Sequence, residues 1–113
     1  MSDCLFCRIV SGEIPAKVVH RDDEIVAFRD IAPQAPVHVL IVPVRHVASV
    51  HKAQEADAGL LGRLLLAAKR IAEREGLGRG YRLVVNDGAD AGQAVLHLHV
   101  HLLGGRPLGW PPG

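Results

Sequence analysis

Short apolar runs separated by turn residues occupy both ends of this chain, and one long stretch at helical spacing lies between them. Cys4-Leu5-Phe6-Cys7-Arg8-Ile9-Val10 predicts a short helix closed by Ser11-Gly12, and Pro15 prevents its continuation. Val18-Val19-His20 predicts a strand, Asp22-Asp23 a turn, and Ile25-Val26-Ala27-Phe28 a second strand. Two prolines make Pro33-Gln34-Ala35-Pro36 an extended, stiff connection. It leads to His38-Val39-Leu40-Ile41-Val42, which is apolar nearly throughout and is expected to be the central strand. Val47 to His51 predicts a short helical piece. The main helix is expected from Glu55 to Glu75, with Glu55 and Asp57 suiting its N-terminus and Gly76 and Gly78 marking its end. Leu61, Leu64, Leu65, Ala68, Ile71 and Ala72 form its apolar stripe, which Leu60, Leu66 and Ala67 widen beyond what one small sheet needs. Snug burial and a dimer contact are both open for that excess. Tyr81 to Val85 predicts a strand, Asn86-Asp87-Gly88 a turn, and the loop Ala89 to Ala94 leads into a last strand from His97 to Leu103. The tail Trp110-Pro111-Pro112-Gly113 can hold no regular structure. Helices segregated from strands that tight turns connect imply an α+β fold with a mainly antiparallel sheet.

At 113 residues the chain is expected to form a single domain over positions 1–113. It has no apolar run long enough to cross a membrane, and Met1-Ser2-Asp3-Cys4 opens no signal peptide, so a cytoplasmic protein is expected. The net charge is +1 and the basic residues are dispersed, which argues against a nucleic-acid surface. Cys4 and Cys7 lie two residues apart, a spacing that in a reducing compartment suggests a metal or redox pair rather than a structural disulfide.

Three of the chain's 7 histidines alternate with apolar residues in His97-Leu98-His99-Val100-His101-Leu102-Leu103. A period of two puts His97, His99 and His101 on one face of a strand and Leu98, Val100 and Leu102 on the other. Side chains so placed lie about 6–7 Å apart, so the imidazoles are expected to share a pocket. Each must then find a hydrogen-bond partner, a ligand or a metal. From spacing alone, metal ligation for a hydrolytic site and nucleophilic catalysis are equally open.

The pattern His-x-His-x-His followed by two apolar residues resembles the histidine triad family. Asp30-Ile31-Ala32-Pro33-Gln34-Ala35-Pro36-Val37-His38, Val84-Val85-Asn86-Asp87-Gly88, Gly92-Gln93 and Gly104-Gly105-Arg106 through Trp110-Pro111-Pro112-Gly113 extend the likeness to its nucleotide-binding branch, over essentially the full chain. The resemblance implies a five-stranded antiparallel sheet with one short and one long helix, paired into a homodimer. It implies a hydrolase of purine nucleoside phosphoramidates, of the adenosine 5'-phosphoramidate type, that passes through a nucleotidyl-histidine. His99 matches the nucleophile, His101 the donor to the phosphate oxygens, and His38 the upstream histidine that completes the hydrogen-bond chain around the triad, of which His97 is the first member. Asn86 and the backbone of Gly92, Gln93 and Ala94 match the phosphate loop. Asp30 matches the carboxylate that accepts both ribose hydroxyls, with Ile31, Phe6 and Phe28 as walls for the purine base. Trp110 matches a tail that reaches the partner subunit's site.

One departure stands out: many members carry Ser or Thr where this chain has Ala94, so a hydroxyl contact to the phosphate or leaving group is missing. Some bacterial members bind structural zinc through an N-terminal Cys-x-x-Cys, a histidine after the central strand and the first triad histidine. Those positions are Cys4, Cys7, His46 and His97 here. Two other readings stay open beside the phosphoramidate hydrolase. One is the dinucleoside polyphosphate hydrolase branch, from which the Gly104-Gly105 and Trp-Pro-Pro-Gly ending points away. The other is a non-catalytic nucleotide-binding regulatory module.

Overall fold

A computed structural model describes residues 3–113; Met1 and Ser2, where the absence of a signal peptide begins to be read, lie outside the described residues. Two α-helices, α1 (Leu5–Val10) and α2 (Ala58–Arg74), accompany five strands. The strands are β1 (Val18–Arg21), β2 (Ile25–Arg29), β3 (Val37–Pro43), β4 (Tyr81–Val84) and β5 (Val100–Gly104). They form one antiparallel sheet in the order β1-β2-β3-β5-β4. β3 sits in the middle, as its apolar run predicts: Leu40 pairs with Phe28 on one side and with His101 on the other.

Local chemistry explains where the elements begin and end. The Cys4 sulfur caps α1 by accepting the Cys7 amide at 3.4 Å. Asp22 Oδ1 accepts the amides of Glu24 and Ile25 at 2.8 and 2.9 Å, which closes the β1–β2 hairpin as an Asx turn. Gln54 and Asp57 form a reciprocal capping box ahead of α2, and Arg45 pairs with the same Asp57. Gly76 ends that helix with φ +74°, and Leu77 N–H reaches back to Ala72 C=O at 3.0 Å.

The alternation along each strand sorts the core into two layers. Ile25, Ala27, Val39, Ile41, Val100 and Leu102 face α2, where they meet Leu64, Ala68 and Ile71. Val26, Phe28, Leu40 and Val42 face the other way and are covered by Phe6 and Ile9 of α1. His38, His99 and His101 share that second face, so the short helix roofs the histidine side of the sheet while the long helix seals the opposite side.

Three expectations need correction. The main helix starts later than Glu55, because residues 55–57 form a 3-10 turn first. Leu65 belongs to the outer face of α2, 49% exposed beside Leu66 at 48%, because the true stripe runs through Leu60, Leu64, Ala67, Ala68, Ile71 and Ala72. The last strand starts at Val100 rather than His97. Leu98 N–H donates to Val47 C=O at 2.6 Å, so the backbone there bonds to the segment after β3 and not to the sheet. Among the described residues no helix is long and apolar enough to cross a membrane.

Candidate functional site

His97, His99 and His101 do not share one pocket. His97 is fully buried, and its ring turns towards the start of α1. Phe6 stands edge-on to both His97 and His99, with ring centroids 6.0 and 5.1 Å away. The triad therefore divides into one histidine on the cysteine side of Phe6 and two on the other.

On the cysteine side, His97 Nδ1 lies 3.3 Å from Cys4 Sγ, 3.4 Å from Cys7 Sγ and 3.2 Å from His46 Nδ1. Cys7 Sγ is 3.4 Å from His46 Nδ1, and the four donor atoms all lie within 4.8 Å of one another. A tetrahedral zinc ion, with bonds of about 2.3 Å to sulfur and about 2.0–2.1 Å to nitrogen, separates its donor atoms by about 3.3–3.8 Å. The spacing fits such an ion. His97 Nε2–H donates to Pro43 C=O at 2.8 Å, so the Nδ1 lone pair is the one turned towards the sulfurs. Burial is the main cause that pushes the His97 ring below its ordinary pKa, which favours the neutral form a ligand needs.

On the other side, His99 Nδ1–H donates to the carbonyl of His97 at 2.7 Å. The His99 and His101 ring centroids are 4.9 Å apart. His101 Nδ1 lies 2.9 Å from His38 Nε2, and the Gln34 amide donates to His38 Nδ1 at 3.1 Å. A backbone N–H can only donate, so His38 Nδ1 is an acceptor and the His38 proton sits on Nε2. That proton goes to His101 Nδ1, which leaves His101 with its own proton on Nε2. A carbonyl can only accept, so His99 keeps its proton on Nδ1 and a lone pair on Nε2. Two backbone groups, His97 C=O and Gln34 N–H, thus leave one ring nitrogen with a lone pair and, beside it, one with a proton to donate.

Asp30 closes the far end of this row. Its Oδ1 accepts the Ala32 amide at 2.8 Å, and its Oδ2 lies 3.4 Å from His38 Nε2. A cleft of about 630 Å³ opens here, lined by Asp30, Ile31, Pro33, Pro36, His38 and Lys17, a size that suits a small ligand. Ile31 is entirely exposed at its rim, whereas Phe6 on α1 and Phe28 on β2 are buried between that helix and the sheet. Asn86 follows β4 and is half-buried. The loop after it is braced by the Gln93 side chain, which accepts Gly88 N–H and donates to Ala48 C=O and Val95 C=O. Gly92 N–H and Gln93 N–H are taken by Ala89 C=O and Gly88 C=O, so Ala94 is the member of that trio whose amide is not bonded within the loop among the described residues. Trp110 is 81% exposed, and its ring lies 5.9 Å from the Arg82 guanidinium, which also donates to Gly109 C=O at 2.7 Å. The backbone donors and acceptors of Gln34, Pro43 and His97 carry no signature in a sequence, and Gly105-Arg106 is visible there only as a motif without a role.

The HIT domain family model matches residues 11–108. The chain belongs to the HIT family. It is 54% identical over 111 residues to an uncharacterized HIT-like protein of Synechococcus elongatus, covering 98% of this chain and 97% of that one. It is 52% identical over 113 residues to the 14 kDa zinc-binding protein of Brassica juncea, covering 98% of this chain and 100% of that one. Among solved structures, a HIT family hydrolase from Legionella pneumophila superposes with a TM-score of 0.97 at 54% identity, over 98% of this chain and 100% of its own.

In this HIT chain, burial holds both His38 and His101 below the ordinary histidine range, with Asp30 acting against it. His101 is pushed down to about 4 by burial first and by the His99 and His38 rings next. Both rings are therefore neutral at pH 7. The unfolded chain binds a proton on His101 near pH 6.5, and the folded chain does so only near pH 4. Stability that is complete above 6.5 is accordingly lost as the pH falls towards 4. A His101→Gln variant is expected to flatten the melting temperature against pH in that window, removing a slope of at most about 1.4 kcal/mol per pH unit. Calorimetry across pH 4 to 7 checks this, and identical slopes in variant and wild type would contradict it.

Proposed function

We propose that this HIT protein is a hydrolase of purine nucleoside phosphoramidates that works through a nucleotidyl intermediate on His99. The observation that carries the reading is the His99 hydrogen bond to the His97 carbonyl at 2.7 Å, which leaves a buried imidazole with its Nε2 lone pair free to attack. In the first step His99 Nε2 bonds to the α-phosphorus, the bond from phosphorus to the amine nitrogen breaks, and the amine leaves with a proton taken from solvent. The positive charge that develops on the ring is stabilised through Nδ1–H by the same carbonyl. His101 Nε2–H, at the end of the relay from Gln34 through His38, donates to the phosphoryl oxygens. Water then attacks phosphorus and gives up a proton to solvent, the electron pair of the bond to phosphorus returns to His99 Nε2, and the nucleoside monophosphate is released. Asp30 Oδ2 is offered to the ribose hydroxyls, Ile31 to the base, and Asn86 with the Ala94 amide to the phosphate.

Wiring of the protons also weighs against the metal-hydrolase alternative. Asp30, His38 and His101 have donor atoms close enough to hold an ion. Yet His38 Nδ1 is occupied by a backbone N–H, so its Nε2 carries a proton and no lone pair for a metal.

The reading includes structural zinc on Cys4, Cys7, His46 and His97, a cytoplasmic setting that keeps the thiols reduced, and a homodimer. Zinc in a closed four-ligand site supplies a crosslink between α1 and the histidine strand and no Lewis acid to the substrate. Exposed Leu65 and Leu66 on α2 support the dimer, and exposed Trp110 would then extend towards the partner's cleft.

Acid-quenched wild-type protein mixed with adenosine 5'-phosphoramidate is expected to carry an adenylate on His99 by peptide mass spectrometry. His99→Ala should lower turnover at least about a thousandfold while the fold persists. A near-normal rate in that variant would overturn the covalent route.

Native mass spectrometry at micromolar protein is expected to give twice the chain mass with about one zinc per chain. Cys4→Ser/Cys7→Ser should lose the zinc and melt earlier, yet still turn over substrate. A monomer would reject the dimer, and a metal-free wild-type mass would reject the zinc.

A further inference from the structure

We infer that Arg106, together with Gly105, is a positioning residue that clamps the 33–36 loop so that the Gln34 amide keeps the proton of His38, and through it that of His101, on Nε2. The inference rests on the proposed reading of His101 Nε2–H as the donor to phosphate.

Gln34 is held at both of its backbone groups. Its N–H donates to His38 Nδ1 at 3.1 Å, and its C=O accepts Arg106 Nη2 at 2.8 Å. Arg106 Nη1 donates in addition to the carbonyl of its own neighbour Pro107 at 3.0 Å, which orients the guanidinium, while Nη2 ties the segment after β5 to the loop through the Gln34 carbonyl. Gly105 sits just before it with φ +92°, and a Cβ there would lie 2.9 Å from Pro36 Cβ. The backbone at 105 therefore packs directly on the proline that closes the loop. Gly104 pairs with Val37, so this contact continues the β3–β5 ladder past its last rung.

The 33–36 segment lies outside the sheet, and the Gln34 side chain anchors it only locally, to Ala32 C=O at 2.9 Å. A bond from a distant element is what fixes the direction of the Gln34 amide. Were that amide to swing away, His38 could hold its proton on Nδ1. Its Nε2 would then accept, His101 would donate from Nδ1, and a lone pair instead of a proton would face the phosphate. The His38 and His101 rings would still touch, but with the wrong end of the relay presented to substrate.

The test uses the full-length protein with Arg106→Met, which keeps an aliphatic stem without donors, and Arg106→Lys, which restores one donor. Two-bond proton–nitrogen spectra of the histidine rings at pH 7 read the tautomers directly, and turnover of adenosine 5'-phosphoramidate reads the consequence. In Arg106→Met a fraction of His38 is expected to move its proton to Nδ1, with kcat lowered about tenfold, the size of one lost charge-assisted hydrogen bond. Arg106→Lys should recover most of both. An unchanged His38 ring spectrum in Arg106→Met overturns the inference, whatever happens to kcat or melting temperature. If Arg106→Met fails to fold, a wild-type ring spectrum and kcat in Arg106→Lys support the clamp, and a wild-type kcat there with His38 on Nδ1 overturns it. Failure of wild-type protein to turn over the phosphoramidate would count against the proposed substrate, while the ring spectra would still decide the role of Arg106.

Discussion

A neutral imidazole has two nitrogens and one proton, and the function proposed for this chain depends on which nitrogen holds it. The backbone makes that choice. Pro43 C=O takes the proton of His97 at Nε2, His97 C=O takes that of His99 at Nδ1, and the Gln34 N–H drives that of His38 to Nε2. His101 follows from His38. Adjacent rings in one sequence run thus receive opposite tautomers. His97 turns a lone pair to the cysteines, His99 keeps one on Nε2, and His101 keeps a proton on Nε2. Side chains alone could not impose this, because each ring could donate or accept through either nitrogen.

The fold supplies those backbone groups from different places. Pro43 ends the central strand, His97 precedes β5, and Gln34 lies in the stiff connection that enters β3. The β3–β5 register, with Leu40 opposite His101 and His38 opposite Leu103, brings the upstream histidine alongside the triad. α2 seals the opposite face with an apolar core, its Arg63 and Arg74 reaching polar partners only at the periphery, which leaves the α1 face to carry the histidines. His97 joins both halves of the site: its ring belongs to the Cys4, Cys7 and His46 cluster, and its carbonyl holds the neighbouring ring. Anything that moves the cluster therefore bears on the His99 tautomer.

Much of this was legible in the sequence. Alternation marked the core side of β5, whereas β2 and β3 were legible as continuous apolar runs because both of their faces are buried. Asp22 and Gly76 ended their elements for the reasons the residue types suggest. The four members of the Cys/His cluster could be named through the family resemblance, although His46 has no local pattern of its own. Other features were hidden. Alternation reports side-chain direction and not backbone pairing, so the strand seemed to begin at His97 while Leu98 N–H in fact bonds to Val47. Leu65 is an apolar residue on an outward face, and hydrophobicity alone cannot separate it from Leu64 one position earlier. The carbonyls of Pro43 and His97 and the amide of Gln34 belong to every residue type, so only geometry reveals that they govern the rings.

Neutron diffraction from deuterium-exchanged crystals at neutral pD locates the ring protons themselves. The account places deuterium on Nδ1 of His99 and on Nε2 of His38, His97 and His101. Deuterium on Nε2 of His99, or on Nδ1 of His101, would leave no lone pair or no donor where the chemistry needs one, and would contradict it.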